Sequence, residues 1–150
     1  METKPLATID PGIYRHFRGN LYFVLGLSWD ANNPLNLEKA EVIYHPLYQA
    51  ENLGWRRRYI QAFLAEVGRG DYFGPRFVKI MDWRQLNILP GCKFRVRVGK
   101  DVYFYVITKV YENQSSVGPE IYVQFQDMAG KDSEMTISEF KTNQNLHFEL

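Results

Sequence analysis

A single hairpin pattern occurs twice in this chain and limits what it can fold into. In the first occurrence, Asp10 to Leu25 (DPGIYRHFRGNLYFVL), Pro11-Gly12 opens a strand, Ile13 to Phe17 runs extended, Arg18-Gly19-Asn20 turns, and Leu21 to Leu25 returns. Gly and Asn at the tip tolerate the positive φ of a tight turn, and the flanks are β-branched or aromatic. The pattern returns 81 positions later, again behind a Pro-Gly (Pro90-Gly91), as Phe94 to Val98, Gly99-Lys100-Asp101 and Val102 to Val106. Leu21-Tyr22-Phe23 against Val102-Tyr103-Phe104 is the closest part. The chain therefore reads as two copies of one small β module.

Composition supports strands. Ten Tyr, ten Phe and an aromatic share of 15% suit pleated surfaces and small aromatic-filled folds better than helical bundles. A net charge of +1 supplies no global field for nucleic acid or membrane. The charges are nonetheless uneven: residues 11–76 carry eight Lys/Arg against six Asp/Glu, and residues 77–150 carry nine of each. The basic residues of the first half are all arginine except Lys39. One cysteine, Cys92, allows no internal disulfide and is too few for a structural zinc site. No apolar run approaches the roughly 20 residues of a membrane span, and METKPLATID lacks the layout of a secretory signal. A soluble protein of a reducing cytoplasm, away from membranes, is expected.

Further along, Ser28 to Asn36 has loop chemistry. Glu38 to Tyr48 reads as a strand with Val42 and Tyr44 on one face and Ile43 on the other, pairing with Leu21 to Leu25, and His45-Pro46 ends its pairing. Trp55 to Arg58 is extended. Ile60, Phe63, Leu64 and Val67 stand at helical spacing, with Gly68 as a C-cap. Gly68 to Pro75 is rich in turn residues. In the second copy, Glu112 to Pro119 is a loop, Glu120 to Gln126 a strand set against Val102 to Val106, and Ile137 and Phe140 correspond to Ile60 and Phe63. Asn145 to Leu150 makes a last strand.

The first copy also resembles a known family. PGIYRHFRGNLYFVL is similar to the opening of a small bacterial and phage domain of unknown function, with a signature near PGxYRHFKGxxYxVLG. Val42-Ile43-Tyr44 with Leu47-Tyr48 resembles its V-x-Y-x-x-L-Y strand, Arg58 to Val67 its R-P-x-x-M-F-x-x-x-V segment, and Arg76-Phe77 its closing R-F. Tyr59 replaces the family Pro, Ala62 the Met, and Trp55 stands one place off the usual Trp. The resemblance implies a small SH3-like β-barrel for the first copy and no particular activity. Hairpin spacing extends the barrel to the second. The expected architecture is mostly β: two tandem SH3-like modules, each with a short helical turn, at 10–77 and 90–150. Residues 1–9 form a tail, and 78–89 a packed connector.

Alternation nominates candidate site residues. In the second hairpin Phe94, Val96 and Val98 share a face, with Arg95 and Arg97 opposite. Transferred to the first, this puts Ile13, Arg15 and Phe17 toward the core and leaves Tyr14 and His16 outside. Arg15 then stands where Val96 does, and an inward guanidinium must be paired, for example with Glu38 or Glu41, or line a polar cavity. In Arg56-Arg57-Arg58, strand geometry separates Arg57 from the other two. Such a run is ordinarily a solvated face, but here Trp55, Tyr59, Tyr44 and Tyr48 interleave with it, as where bases stack and phosphates are clamped. His16 beside Arg18, and Arg76, join the same reading. Catalytic signatures are absent: no nucleophile elbow, HExxH, P-loop or GxGxxG. Cys92 reads as a structural thiol, and the carboxylate pairs Asp30/Glu38 and Asp132/Glu134 lack an apolar wall.

These residues point to a non-enzymatic module without cofactor or metal, holding an anionic, base-containing ligand. That ligand is a nucleotide-like small molecule or nucleic acid, bound in the first module or between modules, as in a phage protein that sequesters a nucleotide signal. Tyr14, Arg15, His16, Arg18, Tyr48, Trp55, Arg58 and Arg76 are its expected contacts. The alternatives are an adaptor with an aromatic peptide groove, or an open strand edge for self-association, and a small nucleotide hydrolase using Cys92 with His16 or His45.

Overall fold

The computed structural model describes residues 9–28, 40–48, 54–143 and 146–149. Apart from Ser28, which ends a strand, the expected loop to Asn36 lies outside them, as do the Asp30/Glu38 pair and most of the N-terminal tail. The fold is mostly β. Two compact units divide it: residues up to His45 with Trp55–Arg84, and Pro46–Tyr48 and Gly54 with residues from Gln85 onward.

In the first unit, β1 (Gly12–His16), β2 (Leu21–Ser28), β3 (Glu41–Pro46) and β4 (Arg56–Tyr59) are followed by the helix α1 (Ile60–Leu64). A hairpin of β5 (Glu66–Arg69) and β6 (Tyr72–Pro75) precedes β7 (Phe77–Met81). The five-stranded sheet runs β4-β3-β2-β1-β7, and β5 pairs β6 separately. Gly12 is required where β1 meets β7, because a Cβ there would lie 2.4 Å from the Met81 carbonyl oxygen. Gly19, at φ 102°, closes the first hairpin, its N–H donating to the His16 carbonyl at 2.8 Å.

A five-residue helix cannot hold itself together in water. Phe63 anchors α1, stacked on Phe77 at 4.2 Å and met edge-on by Tyr14 at 5.7 Å. Ile60 and Phe63 are buried, whereas Leu64 is 55% exposed. The expected stripe through Val67 to a Gly68 cap is therefore cut short. Ala65 is already extended, its carbonyl accepts from the Arg76 N–H at 3.1 Å, and Val67 and Gly68 belong to β5. Gly68 to Pro75, expected as turns, is that hairpin.

In the second unit, β8 (Lys93–Val98), β9 (Asp101–Ser115), β10 (Gly118–Asp127) and β11 (Asp132–Thr136) lead to the helix α2 (Ile137–Thr142) and β12 (Leu146–Glu149). This sheet runs β11-β10-β9-β8-β12, strand for strand the order of the first. Thr136 caps α2, its hydroxyl oxygen accepting from the Glu139 N–H at 3.2 Å. Phe140 is buried and meets Phe94 edge-on at 5.7 Å.

Four expectations are corrected. The described strands form open sheets, with no closed barrel among them. Of residues 112–119 only Ser116 and Val117 turn: β9 runs for 15 residues and β10 starts at Gly118, so Ile121 pairs with Glu112 and Phe125 with Ile107, not with residues 102–106. Residues 78–81, placed in the connector, are part of β7. The fourth concerns facing. Tyr14 is only 8% exposed and lies on the face with Phe63, and His16 packs edge-on against Phe77 at 5.0 Å, so neither is outside. Arg15, half-buried, pairs with Leu21 and Val78 on the opposite face, where Ile13 is fully buried as expected, so both faces of β1 are covered. Tyr14, rather than Ile13, packs as Phe94 does.

Candidate functional site

The face of the first sheet that carries α1 is built from aromatic rings. Tyr14 and Tyr22 are paired neighbours on β1 and β2, and Tyr44 meets Tyr22 edge-on at 5.5 Å. Phe77 touches His16, Tyr22, Tyr44 and Phe63. Strand alternation then decides which arginines reach this face. Tyr44 pairs with Arg56, Ile43 with Arg57, and Val42 with Arg58. Arg56 and Arg58 thus share the side of Tyr44. Arg58 Nε donates to the Tyr44 phenol at 3.3 Å, and the Arg56 guanidinium lies 6.0 Å over the Tyr22 ring. Arg57 points the other way and pairs with Glu41 at 3.6 Å.

His16 is the centre of this arrangement. Its Nδ1 accepts from the Arg18 backbone N–H at 3.2 Å, so in the neutral ring the hydrogen sits on Nε2. Burial, then the charges of Arg18, Arg76 and Arg58 in that order, push its pKa down to about 4. Three guanidiniums from three separate segments therefore act on one imidazole. Arg76 is tied in through its carbonyl, which accepts from the Phe17 N–H at 2.9 Å, while its Nε is buried and has no hydrogen-bond partner among the described residues. Among the described residues, the ion pairs join Arg57 to Glu41 and Lys79 to Asp10 and Asp82. None involves Arg18, Arg56, Arg58 or Arg76. At one margin Phe17 stacks on Tyr72 at 5.8 Å with the rings 16° apart, and Arg18 lies 5.5 Å over the Phe17 ring. Phe73, beside Tyr72 on β6, is exposed.

Of the residues nominated from sequence, His16, Arg18, Arg58 and Arg76 come together here. Tyr14 lies under them as a buried wall, its hydroxyl donating to the Asp10 carbonyl at 2.8 Å, and burial raises its pKa. Arg15 is on the opposite face. Trp55 contacts Phe23 and His45, so it is also on that side, since Phe23 pairs with Ile13. Tyr48 falls among the second unit's residues. Arg56, Tyr22, Phe17 and Tyr72 were not nominated. The Arg56 signal was available, because the alternation that picks Arg58 picks Arg56 as well.

The second unit carries different features. An open groove of about 410 Å³ is lined by Lys93, Phe94, Phe104, Tyr105 and Met128, and Met128 is 86% exposed. Tyr111 donates to the Glu134 carboxylate; burial first, and then this bond, push its pKa up to about 12. The Cys92 thiol donates to the Leu86 carbonyl at 3.3 Å, and burial raises its pKa, away from a reactive thiolate. Among the described residues no cluster of three or more His, Cys, Asp or Glu is arranged to hold a metal ion. No described helix is long and apolar enough to cross a membrane.

Residues 12–79 match the model of a protein family of unknown function, DUF1653. The segment PGIYRHFRGNLYFVL lies within this match from Gly12 onward, and so do His16, Arg18, Arg58 and Arg76. A crystal structure of a DUF1653 protein from Bordetella bronchiseptica is similar at 28% identity and a TM-score of 0.43, over 50% of this chain and 91% of that one. No curated protein matches the chain.

Proposed function

We propose that the first unit, a DUF1653-type domain, is a receptor for an anionic ligand carrying an aromatic base, and that the arginine-lined face around His16 holds it. The observation that carries this reading is the convergence of Arg18, Arg58 and Arg76 on His16 without a carboxylate partner among the described residues. Like charges repel, and a protein gathers them on a half-buried face at a cost that an anion offsets. Arg76 Nε adds a buried donor lacking its acceptor. The Phe17–Tyr72 stack at the margin offers a surface for a base, as aromatic pairs do in single-strand binders. Binding, rather than bond making, is the role that fits these groups: among the described residues His16 is surrounded by cations and has no carboxylate to orient it as a base.

The same proposal treats the two sheets as diverged copies of one SH3-like module. Their common strand order, and the equivalent places of Phe63 and Phe140, support it. A reducing cytoplasm suits the single, half-buried Cys92. A second reading, a peptide adaptor, draws on the apolar groove beside Met128 in the second unit.

A thermal-shift screen of nucleotides, cyclic nucleotides, single-stranded DNA and RNA tests the receptor reading. A ligand-dependent rise in melting temperature is expected, abolished by Arg58→Ala and retained in Arg57→Ala. Steep weakening with salt, in proportion to the phosphates contacted, would identify nucleic acid as the ligand. A rise that survives Arg58→Ala, or no rise with any of them, contradicts the reading.

A further inference from the structure

We propose that the anion selected by this site is a terminal phosphomonoester in its dianionic form, received by His16 acting as a neutral Nε2–H donor. This rests on the reading of the His16 face as an anion receptor and specifies what that receptor prefers.

The first argument is charge. Arg18, Arg58 and Arg76 act together on His16, and Arg56 lies over Tyr22 on the same face. A phosphodiester brings one negative charge and two non-bridging oxygens. A phosphomonoester brings about two charges and three strong acceptor oxygens. The site presents donors in that larger number: the buried Arg76 Nε, His16 Nε2–H, and the guanidinium nitrogens that Arg58 has left after Nε engages Tyr44. Guanidinium forks match phosphate oxygens in geometry as well as charge.

The second argument is the fixed state of the imidazole. A backbone N–H can only donate, so the Arg18 N–H occupies Nδ1 as an acceptor. Protonating His16 would break that bond and add a cation to a cationic surround. Among the described residues, the groups facing it are Phe17 and Arg18 from the turn, Tyr22 from β2, Arg58 from β4, Arg76 from the segment before β7, and Phe77 from β7. No carboxylate is among them. Consistent with this, its pKa lies near 4. Between pH 5 and 8 the titrating partner is therefore the ligand, whose second phosphate ionisation lies at about 6. Affinity should follow the dianion fraction, which rises roughly tenfold from pH 5 to pH 8 for a pKa of about 6.

Calorimetric titration of the full chain with adenosine 5′-monophosphate and with adenosine 3′,5′-cyclic monophosphate, at pH 5, 6, 7 and 8, tests this. The monoester should bind about tenfold tighter at pH 8 than at pH 5, and the cyclic diester more weakly with a flat profile. His16→Gln, which keeps a neutral donor near Nε2, should retain the rise, and His16→Ala should lose affinity. Monoester affinity that falls as pH rises, or a diester bound equally well, overturns the proposal while leaving an anion receptor standing. If neither ligand binds at any pH, both this proposal and the receptor reading fail.

Discussion

Arg58 is held by Tyr44: its Nε donates to the phenol oxygen at 3.3 Å across the β3–β4 ladder, with the Tyr44 ring buried beneath it. Tyr44→Phe keeps the ring and removes only the acceptor. Stability should fall by about 1 kcal/mol, the net worth of such a bond, and anion affinity should drop several-fold as the guanidinium loses its anchor. Urea denaturation and calorimetry measure the two. Unchanged affinity would mean that Arg58 is positioned by something else.

Phe63 and Phe140 are each the anchor of a short helix, and each lies 5.7 Å from an aromatic ring of the neighbouring sheet. Phe63→Ala and Phe140→Ala should each cost roughly 3–5 kcal/mol, as large-to-small changes in a core do. A loss below about 1 kcal/mol at Phe63, read from denaturation midpoints, would place the weight of α1 elsewhere.

Gly12→Ala tests the β1–β7 junction. The new methyl would sit 2.4 Å from the Met81 carbonyl oxygen, a contact that backbone must relieve by moving. A destabilisation of roughly 1–3 kcal/mol is expected. Gly19→Ala, with open space around the new methyl, is a useful contrast: its cost comes from φ alone and should be smaller.

His16 also gives stability a pH dependence. Its folded pKa of about 4 lies below the ordinary 6.5, so between those values the unfolded chain binds a proton that the folded chain refuses. Stability from this group is complete above pH 6.5, declines as pH falls to about 4, and changes no further below that. Melting temperatures from pH 7 to pH 4 should therefore fall more for wild type than for His16→Gln. Parallel curves would contradict a depressed His16.

Much of this was legible in the sequence because alternation is a local signal. The hairpin at Gly19, the shared face of Val42 and Tyr44, and the opposite facing of Arg57 all follow from a period of two. Facing in β1 was legible only in part: Ile13 is fully buried as expected, but Tyr14 is covered too, and which residue meets the helix depends on hairpin length. Tyr14 pairs with Tyr22 across a longer turn, whereas Val98 and Asp101 pair directly around Gly99-Lys100, so Phe94 meets Tyr105. A single offset of 81 cannot serve both strands, and a slip of one residue exchanges the faces. That is how Arg15 was aligned with Val96. Asn113, Gln114 and Ser115 read as loop because their chemistry is polar, yet pairing with β10 made them strand, the usual override of weak β-propensity. The proposed site was half legible. Arg58, Arg76, Arg18 and His16 carry chemistry that sequence reports, but their meeting point depends on β7 returning beside β1, which no local pattern encodes.

Arg58, Arg76 and His16 are proposed to receive one anion together. Titrating inorganic phosphate at pH 8 while following arginine Nε–H and histidine ring resonances by NMR tests it most directly. Arg76 Nε–H, which lacks a partner among the described residues, should shift saturably, with Arg58 and His16 moving at the same midpoint and Arg57 unmoved. Shifts that never saturate, or that are as large at Arg57 as at Arg76, would contradict it.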